Sequence, residues 1–179
     1  YQIFPDRFCK EGAMPDINGR IKREDWGGIP SFRPNEKGKI LNNDFFGGNF
    51  KGIQSKLPYL QSLGVTTIYL NPIFKSNSSH RYDTVDYMLI DPLLGTDEDF
   101  KELVDKCHEL NIKVILDMVF NHSSTQFFAF QDLLKNQEKS KYVDWYFVSS
   151  FPVAINFPPN YKGFSFGPYM PKLNTENPD

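Results

Sequence analysis

Asp117, Asn121 and His122 stand in the stretch DMVFNH, directly after the apolar run Ile112-Lys113-Val114-Ile115-Leu116. A carboxylate, an amide and an imidazole at the end of an apolar strand can hold charge and orient a polar ligand through donors and acceptors. A second group of the same kind, His80-Arg81-Tyr82-Asp83 with Asp86, follows Asn71 and the apolar run Val65 to Leu70. In a parallel α/β barrel the C-terminal strand ends and the loops after them face the ligand. Two neighbouring strand ends would therefore converge on one polar, aromatic-lined patch. Taken alone, Asp117 reads equally as a buried carboxylate paired with an arginine or capping a backbone group. His122 reads equally as a core histidine with its N–H satisfied, because unpaired buried polar groups are costly. Tyr82 is either a packing aromatic or a stacking platform for a pyranose ring. Their joint position at strand ends favours a binding site. A catalytic metal is disfavoured: His80 and His108 are the only other histidines, and His108 falls in a helical pattern.

The elements that must carry these residues follow from periodicity. Tyr1 to Phe8 reads as a short strand, and the Gly-, Pro- and Asn-bearing tract from Cys9 to Phe46 as a structured loop. Phe50, Ile53, Leu57, Leu60 and Leu63 share one helical face that Gly64 ends and Pro58 kinks or splits. Val65 to Leu70 is β-branched and aromatic, as a buried strand requires. Thr96-x-x-Asp99 opens a helix whose apolar face is Phe100, Leu103, Val104, Cys107 and Leu110, with acids in its first turn and Asn111 at its close. Ile112 to Phe120 is the next strand. Strand, helix and strand in this order build a parallel sheet with right-handed crossovers. After His122 the composition turns aromatic and irregular, with a helical piece from Gln126 to Gln137, which fits a subdomain inserted after a strand.

Composition narrows the classes of partner. With 179 residues, 40% of them hydrophobic and 23% charged, the chain can bury a core. A net charge of −2 without a basic stripe gives no reason to expect nucleic acid or an anionic membrane as partner. No run is apolar for long enough to span a bilayer. Aromatic residues make up 16%, many in Gly/Pro-rich stretches, where they either fill irregular packing or meet flat apolar ligand faces such as those of sugars. Cys9 and Cys107 form no C-x-x-C pair, so neither a disulfide framework nor a zinc site is indicated. The chain opens on YQIFPDRF without Met, so a preceding segment is expected to have been removed along with any targeting signal.

With these residues assembled, the chain resembles the α-amylase family of glycoside hydrolases, family 13, and within it the neopullulanase, cyclomaltodextrinase and maltogenic amylase group. Six ordered motifs carry the likeness: YQIFPDRF, FFGGNFKGI, GVTTIYLNPIF, HRYDTVDY, DMVFNH and MPKLNTENPD. MPKLN is the stretch that points to this group rather than to oligo-1,6-glucosidases. The resemblance implies an α/β chain forming the first three strands of a (β/α)8 barrel, with an irregular subdomain after the third strand. Residues 1–122 would be barrel, 123–172 the inserted subdomain B and 173–179 the lead-in to a fourth strand. It further implies that Tyr82 stacks on a sugar at the cleavage subsite and that His122 hydrogen-bonds it. Asp117 would hold the pocket's charged network, through an arginine on the next strand. His80 belongs to the same substrate-binding set, with Asp83, Asn121 and Asn71 in support.

Members of the family place a carboxylate nucleophile after the fourth strand, an acid/base glutamate after the fifth and a third carboxylate after the seventh. Retaining hydrolysis needs its two carboxylates about 5 Å apart, and Asp117, Asp83 and Asp86 are not assigned to those roles. The expectation is a fragment of a retaining α-glucan-acting hydrolase, inactive alone, with α-glucan oligosaccharides or cyclodextrins as ligands; the alternative is a non-catalytic carbohydrate-binding or interaction module derived from the same barrel. Exposed strand edges should make the fragment self-associate, and the resembling group leans to the cytoplasm. No cofactor is required by this reading. Relatives often bind structural calcium after the first strand, where this chain retains Asp16 and Asn49 as oxygen donors. Calcium prefers six to eight oxygens, so weak or no binding is expected, with the melting temperature unmoved by micromolar calcium; a rise in melting temperature would contradict it.

Overall fold

The structure, a computed structural model, describes residues 1–164 and 168–178. Packing divides the chain into two compact units. The first comprises Tyr1–Arg81 and Met88–Asp117, the second Tyr82–Tyr87 and Met118–Asp179.

The first unit is built on a parallel three-stranded sheet of β1 (Gln2–Ile3), β4 (Thr67–Leu70) and β7 (Lys113–Leu116), with β4 in the middle. Tyr69 and Leu70 of β4 pair with Gln2 and Ile3 on one side and with Ile115 and Leu116 on the other. This is the α/β, parallel-stranded beginning of a barrel-type sheet that the residue order implies. The strands are shorter than periodicity suggests. Tyr1 to Phe8 divides into β1 and the single-turn helix α1 (Pro5–Phe8), because Pro5 supplies a helical φ at the first turn and no backbone donor for a ladder.

The helices cover the sheet with the residues that share their apolar faces. The Phe50 to Leu63 run is split into α2 (Phe50–Ser55) and α3 (Leu57–Ser62), with Pro58 in the first turn of α3. Asn49 caps α2 by accepting the Gly52 N–H at 2.8 Å. α4 (Asp97–Glu109) carries the capping box: the Thr96 hydroxyl accepts the Asp99 N–H and the Asp99 carboxylate accepts the Thr96 N–H. Ile3, Phe50, Ile53, Leu57, Leu60, Ile68, Leu70, Leu103, Cys107 and Ile112 form one buried core between these elements.

The tract from Cys9 to Phe46 is pinned to this core by charge and backbone contacts. It pairs β2 (Ile21–Lys22) with β3 (Asp44–Phe45) in parallel. Asp6, fully buried, accepts the N–H groups of Phe46 and Gly47 at 3.1 to 3.2 Å, while its own carbonyl accepts from Gly48. Gly48 is required here, since a Cβ would lie 2.1 Å from the Pro5 carbonyl oxygen.

A second buried carboxylate, Asp91, follows β6 (Thr84–Ile90), which pairs with β5 (Phe74–Ser76). Arg20 grips it in a fork, 2.7 Å to each oxygen, and also donates to the Ser76 carbonyl. Arg81 Nε lies 3.3 Å from the same carboxylate, and both guanidiniums sit over the Phe45 ring, at 4.8 and 5.6 Å from its centroid. Burial pushes the Asp91 carboxyl up. The Arg81 charge, the Arg20 hydrogen bonds and charge and the Leu93 N–H outweigh it and hold the group below the ordinary carboxylate range.

Removing one partner of such a buried group leaves charge uncompensated, so Asp91→Ala is expected to destabilise the protein by about 3–5 kcal/mol in denaturant unfolding. Because the folded-state pKa is depressed, Asp91 stabilises above its unfolded pKa of about 4, and that contribution is lost as pH falls through the folded value. Asp91→Asn should therefore flatten the fall of melting temperature below pH ~4; an acid limb identical to wild type would contradict this.

Candidate functional site

Three of the residues expected to bind substrate or support it meet in the second unit. His122 is buried, 4% exposed. Its Nε2 lies 3.0 Å from the Tyr82 carbonyl oxygen, and its Nδ1 lies 3.2 Å from the Asn121 amide nitrogen. The ring also stacks on Phe164, with centroids 4.7 Å apart and planes 15° from parallel. A carbonyl can only accept, so Nε2 carries the proton and Nδ1 accepts from Asn121. In this arrangement both ring nitrogens are engaged within the protein, and His122 holds the Tyr82 backbone in place.

The segment around His122 is fastened from two sides. It forms an antiparallel bridge with Lys172, with the Ser123 N–H donating to the Pro171 carbonyl and the Leu173 N–H to that of Asn121. The Tyr87 hydroxyl, on the other side, shares its one proton between the carbonyls of Val119 and His122, 2.9 and 2.6 Å away, and burial raises its pKa. The Ser124 N–H donates to the Thr84 carbonyl, which ties residues 82–87 to the same segment. Behind it lies an aromatic core of Phe127, Phe130, Tyr146 and Tyr161, to which α5 (Phe128–Asn136) contributes. A cavity of about 370 Å³ in this unit is lined by Tyr87, Phe120, Phe127, Trp145 and Asn174. Tyr82, Asp83 and Asp86 are half-buried.

The remaining expected residues lie in the first unit. Asn71 and Asp117 are the residues directly after the paired ends of β4 and β7, and the Asp117 N–H donates to the Leu70 carbonyl. Asn71 is buried and its Oδ1 accepts from Gln2 Nε2 at 2.9 Å. Asp117 is half-buried and accepts a hydrogen bond from the Tyr69 hydroxyl. Tyr69 sits diagonally across the β4–β7 ladder, on the same face as Asp117. Burial first, then the Asp117 charge and hydrogen bond, raise the Tyr69 phenol above its ordinary pKa. His80, half-buried, has Nδ1 3.0 Å from the Ser78 hydroxyl in the turn that Arg81, at φ 60°, closes.

The donors considered for calcium are committed elsewhere. Asn49 turns its amide nitrogen toward the Glu11 carbonyl at 2.7 Å while its oxygen caps α2. Asp16 pairs with Lys22 at 2.6 Å. This geometry does not fit an oxygen shell for Ca²⁺. Among the described residues, no three His, Cys, Asp or Glu side chains gather into a metal-binding group, and no helix is long and apolar enough to cross a membrane.

Lys172, Tyr69, Gln2 and Ser78 were not singled out from the sequence. Lys172 stands in MPKLN, some fifty residues from its partner, and no local spacing marks it. Gln2 and Tyr69 sit at strand positions whose neighbours depend on the register of a sheet that sequence alone does not fix.

The model of the alpha amylase catalytic domain matches residues 2–178. Neopullulanase 2 of Thermoactinomyces vulgaris is 47% identical over 180 residues, covering 100% of this chain and 29% of the relative. A cyclomaltodextrinase of a Bacillus species is 46% identical, over 100% of this chain and 30% of its own length. The chain thus spans less than a third of the curated relatives it matches. Among solved structures, the cyclic α-maltosyl-(1→6)-maltose hydrolase of Arthrobacter globiformis, in complex with cyclic α-maltosyl-(1→6)-maltose, superposes with a TM-score of 0.85 at 39% identity, covering 99% of this chain and 37% of that one. A motif set spread along the whole chain, the parallel β1–β4–β7 sheet and these matches agree: the chain belongs to the alpha-amylase family, within its catalytic domain.

Proposed function

We propose that the protein carrying this chain is a retaining glycoside hydrolase acting on α-glucosidic bonds of maltooligosaccharides, cyclodextrins or pullulan, and that these 179 residues supply substrate-holding groups rather than the reacting carboxylates. The observation that carries this is the alpha amylase catalytic domain match over residues 2–178, which takes in HRYDTVDY and DMVFNH. The Arthrobacter relative, seen with cyclic α-maltosyl-(1→6)-maltose and with maltose, supports α-glucans as the ligand class.

In this reading Tyr82 is the platform on which a glucosyl ring stacks, since an aromatic face suits the apolar face of a pyranose. Asp117, which accepts from Tyr69, stands at a strand end, where its oxygens can accept hydrogen bonds from sugar hydroxyls or meet a neighbouring cation. His80 sits in a turn whose shape Ser78 and Arg81 fix. His122 serves the sugar as the group that holds Tyr82, and meets it directly only if its ring turns away from the Tyr82 carbonyl. Nucleophile and acid/base are assigned to none of Asp83, Asp86 and Asp117. No cofactor enters the proposal, and as an isolated piece the chain is expected to self-associate through strand edges.

The test is hydrolysis of maltoheptaose, β-cyclodextrin and pullulan by the full-length protein. Wild type should hydrolyse at least one of them. Tyr82→Ala should lower kcat/KM roughly tenfold or more, about 1.4 kcal/mol or more of lost transition-state binding. Wild-type protein inert toward all three would contradict the proposal.

A further inference from the structure

The Lys172 ammonium lies 2.7 Å from Asn121 Oδ1, the Asn121 amide nitrogen 3.2 Å from His122 Nδ1, and His122 Nε2 3.0 Å from the Tyr82 carbonyl oxygen. These contacts form a chain in which each member's donor or acceptor role is set by the one before. An ammonium has only donors, so the Asn121 atom facing it must be the oxygen. The opposite face of the same amide is then its NH₂, which can only donate. His122 Nδ1 must accept, the ring proton sits on Nε2, and Nε2–H meets a carbonyl that can only accept. Asn121 and His122 could each be turned over without changing shape, and it is the ends of the chain that choose.

We propose that Lys172 is a positioning residue for the glucan site: through the Asn121 amide it holds His122 Nδ1 as an acceptor, so that with the Tyr82 carbonyl at the other end the ring keeps one orientation and one tautomer, and through His122 it holds the backbone of Tyr82. Lys172 touches neither the sugar nor the reacting atoms. The backbone makes the reach possible, because Lys172 and His122 are opposed in an antiparallel bridge, which brings the lysine stem alongside Asn121. The His122 ring is buried and stacked on Phe164, and a ring released from Asn121 loses the contact that fixes its Nδ1 side. A half-released ring lets the Tyr82 carbonyl, and with it the orientation of the stacking platform, relax. The effect belongs on ligand affinity more than on the chemical step.

The part of this inference that concerns glucan rests on the proposed function, and the experiment separates the two. In the full-length protein labelled with ¹⁵N-histidine, and without any sugar, the His122 ring signals are assigned with His122→Gln. Wild type and Lys172→Arg, which keeps a donor-only head group, should both show a single Nε2–H tautomer. In Lys172→Met the Asn121 amide is free to turn over and accept from a protonated Nδ1 while Nε2–H still meets the Tyr82 carbonyl. The ring should then gain a doubly protonated form at a pH where wild type keeps its single signature, with a cooperative unfolding transition retained. Asn121→Ala serves as the second variant that cuts the same link. A wild-type ring signature in both Lys172→Met and Asn121→Ala overturns the relay. Kinetics on β-cyclodextrin or maltoheptaose then read the consequence: Lys172→Met should raise KM about three- to tenfold with kcat changed less than twofold, and Lys172→Arg should restore KM. An altered ring with an unaltered KM overturns the positioning role. Wild-type protein without glucan hydrolysis defeats the proposed function instead, and leaves the relay to be judged by the ring signals alone.

Discussion

The first unit depends on one buried carboxylate. Asp91 gathers Arg20 from the long tract after β1 and Arg81 from the turn after β5, and Phe45 lies under both guanidiniums. Each charge offsets part of the desolvation cost of the others at that depth, and the arginines hold the Asp91 carboxyl below its ordinary range. The group closes three otherwise independent pieces of chain on one point: the tract, the end of β5 through the Ser76 carbonyl, and the segment after β6. The irregular tract is thereby fastened by charge at the point where its Phe45 lies buried under both guanidiniums. Buried ion pairs are costly to assemble, and their use at this point fits a need for one defined arrangement of the turn bearing His80 rather than for raw stability.

The second unit solves a similar problem with neutral groups. Its core is aromatic, with Tyr87, Tyr146 and Tyr161 each directing a hydroxyl to a partner inside it. Rings fill the irregular space and their polar ends satisfy carbonyls and hydroxyls that have no sheet to pair with. In this setting His122 is not an isolated imidazole awaiting a ligand. It is one member of a hydrogen-bonded series whose direction is imposed from outside the ring, which ties a loop residue, Tyr82, to a fixed scaffold.

Much of this was legible in the sequence, and the reasons are local. The Thr96–Asp99 capping box, the split of the α2–α3 helix at Pro58 and the positive φ of Gly64 and Asn111 follow from residue types acting on their immediate neighbours. The order of strand, helix and strand fixed the parallel sheet. The paired strands are shorter than the apolar runs that contain them, which continue past the last paired residue, as Ile112 to Phe120 does beyond β7. The candidate residues were recognisable as types at strand ends, but their partners were not. Gln2 with Asn71, Tyr69 with Asp117 and Lys172 with Asn121 are joined across 48 to 69 positions by register and bridge geometry. Periodicity carries no information on that scale.

In the proposed function Tyr82 presents its ring to an α-glucan. A crystal structure of the full-length protein soaked with maltotetraose tests it most directly. The expected result is a glucosyl ring stacked on the Tyr82 face, with the His122 Nε2 contact to the Tyr82 carbonyl retained. Well-ordered sugar elsewhere in the site, with the Tyr82 ring left without a sugar against it, would contradict it.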